Sequence, residues 1–298
     1  MTIEGTHGLW ADLHHPGIKA DEADFVVLGI PFDGLASARL GAALGPDRIR
    51  YWSHHLTPFS EDRTSLKNVK ICDLGDQMIK NPELDFPKAS SLAASVKPPL
   101  ITLGGDHSIS IPIFQAQRQR CTGRLGVLWV DAHPDLCDEF DGSKLSHACV
   151  LRRGMEYGIN PADVCLVGVR SWEEQEIDMI ENAGLHVFTA SEIAEKGMKN
   201  TASVVRRILS DCDSVHISFD IDALDPSAAP GTGIPDHGGL FMRDVLTLLK
   251  SMEGLPLTGL DVVEVAPPLD PSESTVFAAL KIIMEFIAVI QRSKIARL

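Results

Sequence analysis

The chain has 298 residues, 44% hydrophobic and 23% charged, proportions that suit a folded globular protein with a deep core and exclude bulk disorder. Its 41 acidic side chains outnumber 27 Lys and Arg, a formal net charge of −14. That charge repels polyanions, and with no Lys/Arg cluster in the sequence it argues against a nucleic-acid partner.

The N-terminal MTIEGTHGLWADLHHPG has neither the basic nor the apolar region of a secretory signal. The longest apolar candidate, Ala278–Ile290, is short for a membrane span and carries Lys281 and Glu285. The expectation is a cytoplasmic protein with no membrane partner. Cys72, Cys121, Cys137, Cys149, Cys165 and Cys212 form no CxxC pair and read as free, packed thiols of a reducing compartment.

In chain order, an irregular polar segment over 1–22 precedes a strand at Phe25–Gly29 and another at Val69–Cys72. A helix is predicted over Lys88–Ser95, then a strand at Pro99–Leu103, a helix at Ser110–Gln119 and a strand at Leu125–Val130. Next come a helix at His147–Tyr157, a strand at Val164–Val169, a helix at Glu173–Asn182 and a strand at Leu185–Phe188. The last elements are a helix at Thr201–Ser210, a strand at Val215–Phe219, a helix at Gly239–Met252, a strand at Leu257–Val265 and a helix at Ser274–Ile290. Ser274 is placed to cap that final helix, and Val276, Ala279, Leu280, Ile283 and Ile287 fall on one face of it. Near-continuous apolar strands alternating with helices predict an α/β fold. The expectation is one domain over 1–298, a three-layer α/β/α sandwich on a mostly parallel sheet of about eight strands.

Parallel sheets bind ligands beyond the carboxyl ends of their strands. Four predicted strands end in groups with chemistry: LITLGGDHS in Asp106 and His107, GVLWVDAHPD in Asp131, His133 and Asp135, VHISFDIDALDP in Asp220, Asp222 and Asp225, and LDVVEVAPP in Glu264. Residues two apart on an extended chain point the same way about 6.6 Å apart, so DxHxD and DxD can each face one small volume. So many carboxylates and imidazoles in one place need cations. Two divalent ions sharing carboxylates can use them all, whereas one cannot. A donor set without thiolate suits Mn²⁺, Zn²⁺, Fe²⁺ or Co²⁺. Asp106 and Asp225 read as turn or supporting groups, His216 as a packed histidine, and the pairs His14-His15 and His54-His55 as surface residues. PGTGIPDHGG lacks P-loop spacing and reads as a loop near the mouth of the site.

GGDHS, DAHPD and SFDIDALDP, in that order and spacing, resemble the signature blocks of the ureohydrolases, the arginase, agmatinase and formimidoylglutamase family. The resemblance runs from about Phe25 to Ile290. It implies a two-Mn²⁺ site, one ion held by His107, Asp131, Asp135 and Asp220, the other by His133, Asp131, Asp220 and Asp222, with Asp131 and Asp220 bridging. It also implies that Glu264 grips a guanidinium and that His147, in KLSHACVLRR, shuttles protons; Asp135 is placed to relay a proton from the attacking water. Glu264 at an apolar strand end needs a cationic partner in any case.

The loop LCDEFDGSKLS sets Asp138, Glu139 and Asp141 against Lys144, an acidic rim suited to a cationic tail. With the agmatinase-like look of SHACVLRR and GTGIPDHGG, it points to agmatine, hydrolysed to putrescine and urea in polyamine formation. Other guanidino-acid hydrolases (guanidinobutyrase, guanidinopropionase, arginase) and formimidoylglutamase are the alternatives. A single-Zn²⁺ hydrolase would not use the whole ligand set, and a non-catalytic relative would have lost part of it. The resemblance further implies a homo-oligomer, trimer or hexamer.

Overall fold

The computed structural model describes residues 7–296; residues 1–6 of the expected irregular N-terminal segment lie outside them. Among the described residues eight strands form one sheet: β1 (Phe25–Ile30), β2 (Ile71–Asp76), β3 (Leu100–Gly104), β4 (Leu125–Val130), β5 (Val164–Val167), β6 (His186–Phe188), β7 (Ser214–Asp220) and β8 (Leu257–Val263). Their order is β2-β1-β3-β8-β7-β4-β5-β6, and every pairing is parallel. The central strands β1, β3 and β4 are buried along their whole length, which is why they read as unbroken apolar runs.

Among the described residues nine α-helices cover the sheet: α1 (Gly45–Ser53), α2 (Pro82–Ser95), α3 (Ser110–Arg120), α4 (Val150–Glu156), α5 (Glu174–Ala183), α6 (Ala190–Lys196), α7 (Met198–Leu209), α8 (Met242–Ser251) and α9 (Ser274–Ile295). α1, α7, α8 and α9 bury their apolar sides on one face, in a core that includes Ile49, Val205, Leu249 and Phe286. α2, α3 and α4 cover the other, around Phe86, Phe114, Trp129 and Leu151. The expected three-layer α/β/α architecture is the one found.

Several boundaries differ from expectation for local reasons. α2 starts six residues earlier than predicted, at Pro82, because Asn81 caps it by accepting from the Glu83 amide, while Pro87 sits on an exposed face. β2 is an edge strand that runs on to Asp76 through polar residues, so its end was hidden. Two helices, α1 and the short α6, go beyond the elements expected from the sequence; Thr189 and Glu192 form a capping box at the start of α6. Ser274 does not cap α9: it is the first helical residue, and Glu273 precedes it in a left-handed conformation. α9 is long and apolar enough to cross a membrane by length and composition, but most of it is buried against α1, α8 and β8. Its buried Glu285 is paired with Lys281 and accepts from the Glu61 amide. All six cysteines are buried and free.

Candidate metal centre

The sheet order sets β3, β8, β7 and β4 side by side, so the four residue groups singled out in the sequence meet at one edge. After β3 the chain turns so tightly that a Cβ on Gly105 would lie 1.8 Å from the Phe32 carbonyl oxygen; only glycine fits there. Asp106 then caps a 3-10 turn by accepting from Ser108 N and also accepts from Leu35 N, a supporting role as expected. This turn aims His107 back over the sheet. Its ring stacks on Trp129 of β4, with centroids 4.3 Å apart and planes 7° from parallel.

His107 Nδ1 lies 3.0 Å from Asp131 Oδ2, 3.2 Å from Asp135 Oδ2 and 3.2 Å from Asp220 Oδ2. The other Asp131 oxygen, Oδ1, faces His133 Nδ1 at 3.5 Å, and Asp222 Oδ2 lies 3.2 Å from the same nitrogen. Asp131 therefore stands between two donor groups, one oxygen to each. Asp220 joins the first group, while its Oδ1 accepts from the Asp222 amide, 2.8 Å away. All six expected ligands converge; Asp131 has bridging geometry, and Asp220 is engaged on the His107 side.

These residues fit a pair of cations. His107 Nδ1 and Asp131 Oδ2 are buried and face each other, yet neither has a hydrogen-bond partner among the described residues. Burial raises the Asp131 pKa to about 6, with the charges of Asp222 and Asp135 adding to it, and raises Asp220 likewise, with Asp222 and Asp131 behind it. Burial opposes charge on the imidazoles too, but the carboxylates outweigh it: His107 is held well above its ordinary range and His133 is pushed up to about 12. In the metal-free protein, protons on these rings offset the acidic cluster. Ligation requires neutral imidazoles, so Mn²⁺ loading at pH 7 is expected to release protons and to tighten as pH rises. Calorimetry in buffers of different ionisation enthalpy measures the release; none at pH 7 would contradict this electrostatic account.

Two of the candidate site residues share a backbone feature the sequence does not reveal. Asp135 has φ 50° and Glu264 φ 60°, left-handed conformations that cost non-glycine residues energy and are held here by their surroundings. Glu264 follows β8, donates its amide to the Gly105 carbonyl and accepts from His107 N through Oε1, 2.9 Å away. The same oxygen is 3.2 Å from His147 Nδ1. Glu264 pairs with no Lys or Arg among the described residues. Its Oε2 lies toward Gly233, 3.5 Å from where a Cβ there would sit. His147, whose turn is capped by Ser146, also meets Ser37 through Nε2: the hydroxyl is 2.8 Å away and the amide donates at 3.2 Å. Burial lowers the His147 pKa, but Glu264 outweighs it and lifts it to about 9, while the Ser37 amide favours the neutral ring.

These groups line a cavity of about 200 Å³ whose wall also includes Arg39, Phe140, Trp172, Glu173, Glu176 and Ile234. Gly233 and Ile234 place the GTGIP loop at the site, as expected. The acidic rim needs correction. Of the loop residues Asp138, Glu139, Phe140 and Asp141, only Phe140 lines the cavity, and Asp138 is engaged by Arg153 at 2.8 Å and Lys144 at 3.1 Å. Glu173 and the buried Glu176, from the start of α5, supply the acidic wall instead. Burial pushes Glu176 up to about 7, although it accepts from the Leu136 and Glu173 amides. Arg39 is anchored on the Thr232 and Gly233 carbonyls, tying the 36–39 segment to the GTGIP loop. Arg170, also unremarked in the sequence, clamps the carbonyls of Asp222 and Asp236. Of the residues set aside, Asp225 accepts from Ser227, Gly238 and Gly239 in a turn, and His14, His54 and His55 are half-buried rather than fully at the surface.

A parallel α/β sheet with mixed imidazole and carboxylate donors at its carboxyl edge defines a metallohydrolase class of site. Residues 23–288 match the model of the arginase family. The chain is 32% identical over 284 residues to an agmatinase of Chromobacterium violaceum, covering 92% of this chain and 85% of that one. It is 30% identical over 286 residues to a guanidinobutyrase of Pseudomonas aeruginosa, covering 91% and 88%. Its fold superimposes on the proclavaminate amidino hydrolase of Streptomyces clavuligerus with a TM-score of 0.90 at 31% identity, covering 97% of this chain and 99% of that one. The chain belongs to the arginase family, whose members are binuclear-metal enzymes, and it is a hydrolase of guanidino groups.

Proposed function

We propose that this enzyme hydrolyses agmatine to putrescine and urea at a pair of Mn²⁺ ions. The observation that carries the reading is Asp131, whose two oxygens face two different imidazole–carboxylate groups. His107, Asp131, Asp135 and Asp220 would hold one ion, and His133, Asp131 and Asp222 the other, with Asp220 shared in the family's pattern. Such a pair supplies Lewis acidity that brings the ionisation of water near neutral pH.

The chain's own residues do the rest. Glu264 presents Oε2 to the planar guanidinium and orients its carbon toward Asp135. Asp135 accepts a hydrogen bond from the attacking water. As the water oxygen bonds to the guanidinium carbon, Asp135 takes its proton and passes it to the departing amine nitrogen. The C–N bond to the alkyl chain breaks, and the proton remaining on the oxygen passes by way of Asp135 to the released amine, leaving urea and an alkylammonium. His147, bridged between Glu264 and Ser37, exchanges protons with solvent through the cavity.

At the exposed end of the cavity, the Trp172 indole and the Glu173 carboxylate suit an ammonium tail. The Arg39 guanidinium, which would favour a carboxylate tail, is occupied by loop carbonyls. The test is urea release with Mn²⁺ on agmatine, arginine, guanidinobutyrate and guanidinopropionate. Agmatine is expected to lead guanidinobutyrate in kcat/KM by about tenfold, since the rim attracts one tail and repels the other by roughly 0.7 kcal/mol each. Glu173→Gln should narrow that lead. A preference for the carboxylate-tailed compounds would overturn the agmatine assignment and leave the guanidino chemistry intact.

A further inference from the structure

Behind the site, in the middle of the sheet, lies a buried polar chain that the proposed chemistry does not use. His216 and Ser218 are two residues apart on β7 and so share a face of the sheet; Ser218 is the direct register partner of Asp261 on β8. His216, Ser218 and Asp261 are all fully buried, and His107 is 1% exposed. His216 Nε2 donates to Asp261 Oδ2 at 2.5 Å. Ser218 Oγ donates to Asp261 Oδ1 at 2.7 Å, and Ser110 Oγ of α3 donates to the same oxygen at 2.8 Å. His107 Nε2 lies 2.9 Å from Ser218 Oγ.

A carboxylate at the centre of an apolar sheet is costly unless it is fully hydrogen-bonded. It has three donors here, yet Asp261 is in neither His107 group of carboxylates nor that of His133. The directions of the hydrogen bonds are fixed by one fact: an ionised carboxylate only accepts. The single Ser218 proton is therefore committed to Asp261. Ser218 Oγ can then offer His107 nothing but a lone pair, so Nε2 must carry a hydrogen. In the neutral ring this leaves the Nδ1 lone pair aimed at Asp131, Asp135 and Asp220. Stacking on Trp129 fixes the plane of the ring, and Ser218 fixes its rotation within that plane.

We propose that Asp261, acting through Ser218, is a positioning residue that selects the His107 tautomer able to ligate a cation. His216 holds the Asp261 carboxylate from its other side. The inference rests on the metal-centre reading above. Supporting hydrogen bonds of this kind are worth about 10- to 100-fold in metal affinity.

The experiment is Mn²⁺ titration calorimetry of the full-length metal-free chain, comparing wild type with Ser218→Ala and Ser110→Ala. Both substitutions delete one buried hydroxyl bonded to the same Asp261 oxygen, but only the Ser218 hydroxyl touches the His107 ring. Ser218→Ala is expected to weaken the His107-side ion by about 10- to 100-fold, and Ser110→Ala to leave it within about threefold of wild type. ¹H–¹⁵N spectra of metal-free protein, in which both His107 ring nitrogens carry hydrogen, should show a hydrogen-bonded, downfield Nε2–H in wild type and an upfield-shifted one in Ser218→Ala. Asp261→Ala, where it folds, should behave as Ser218→Ala, because the freed hydroxyl can turn its proton toward His107. Equal losses in the two serine variants, or a Ser218→Ala protein with wild-type affinity and an unchanged Nε2–H signal, would overturn the inference. A wild-type chain that takes up no Mn²⁺ would instead overturn the metal centre itself.

Discussion

Glu264→Gln is expected to lower kcat/KM for agmatine by about 10²–10³-fold while the protein keeps its metal and its fold, since losing one member of a buried charge pair costs roughly 2–5 kcal/mol. Gln is nearly isosteric, and its side-chain oxygen can still accept from the His107 amide, the bond that ties this residue to the turn after β3. What the substitution removes is the negative charge facing the cavity, and it puts an amide NH2 donor where Oε2 would accept from a guanidinium N–H. Steady-state kinetics beside metal analysis of the same preparation makes the check. Activity within a few-fold of wild type would show that Glu264 does not bind the reacting group. A second readout follows from His147. With the Glu264 charge gone, the His147 pKa in metal-free protein should fall from about 9 toward 6.5. A histidine raised in the folded state adds stability that is fully present below about 6.5 and lost as pH rises through about 9. Glu264→Gln should therefore flatten that part of the metal-free stability profile.

Asp131→Asn is expected to cost more, because its two oxygens serve different groups. Each side would lose a charged ligand from a fully buried position, about 10²-fold or more in affinity apiece. Asp222→Asn touches the His133 side alone. Metal analysis after dialysis should therefore find fewer than one ion per chain in Asp131→Asn, about one in Asp222→Asn and two in wild type. A variant Asp131→Asn that retained one tightly held ion would show that the two groups do not share this residue. The same side chain accepts from the His133 amide, so circular dichroism must first establish that Asp131→Asn is folded.

Much of this site was legible in the sequence because it is built from strand ends. Buried parallel strands read as apolar runs, and the polar residues that follow them stand out by contrast, so His107, Asp131, His133, Asp135, Asp220, Asp222 and Glu264 could be named before any geometry was known. What stayed hidden depends on which strands are neighbours. Asp261 sits inside the run LDVVEV and looks like an interruption of a strand until β8 is seen beside β7. His216 read as a packed histidine, which it is, but its carboxylate partner lies 45 residues away. Trp129 gave no sign of stacking on His107, because that contact depends on the turn at Gly105. The acidic rim failed for a similar reason: the net charge of a loop does not tell which side chains point inward, and Asp138 turns to Arg153. The left-handed backbone at Asp135 and Glu264 is set by the surrounding packing, and neither residue type announces it.

Crystals of the Mn²⁺-loaded protein, measured at the manganese absorption edge, address the two-ion centre directly. The account predicts two anomalous peaks at the carboxyl edge of the sheet, one touching His107 and one touching His133, both in contact with Asp131. A single peak, or two that share no carboxylate, would contradict it.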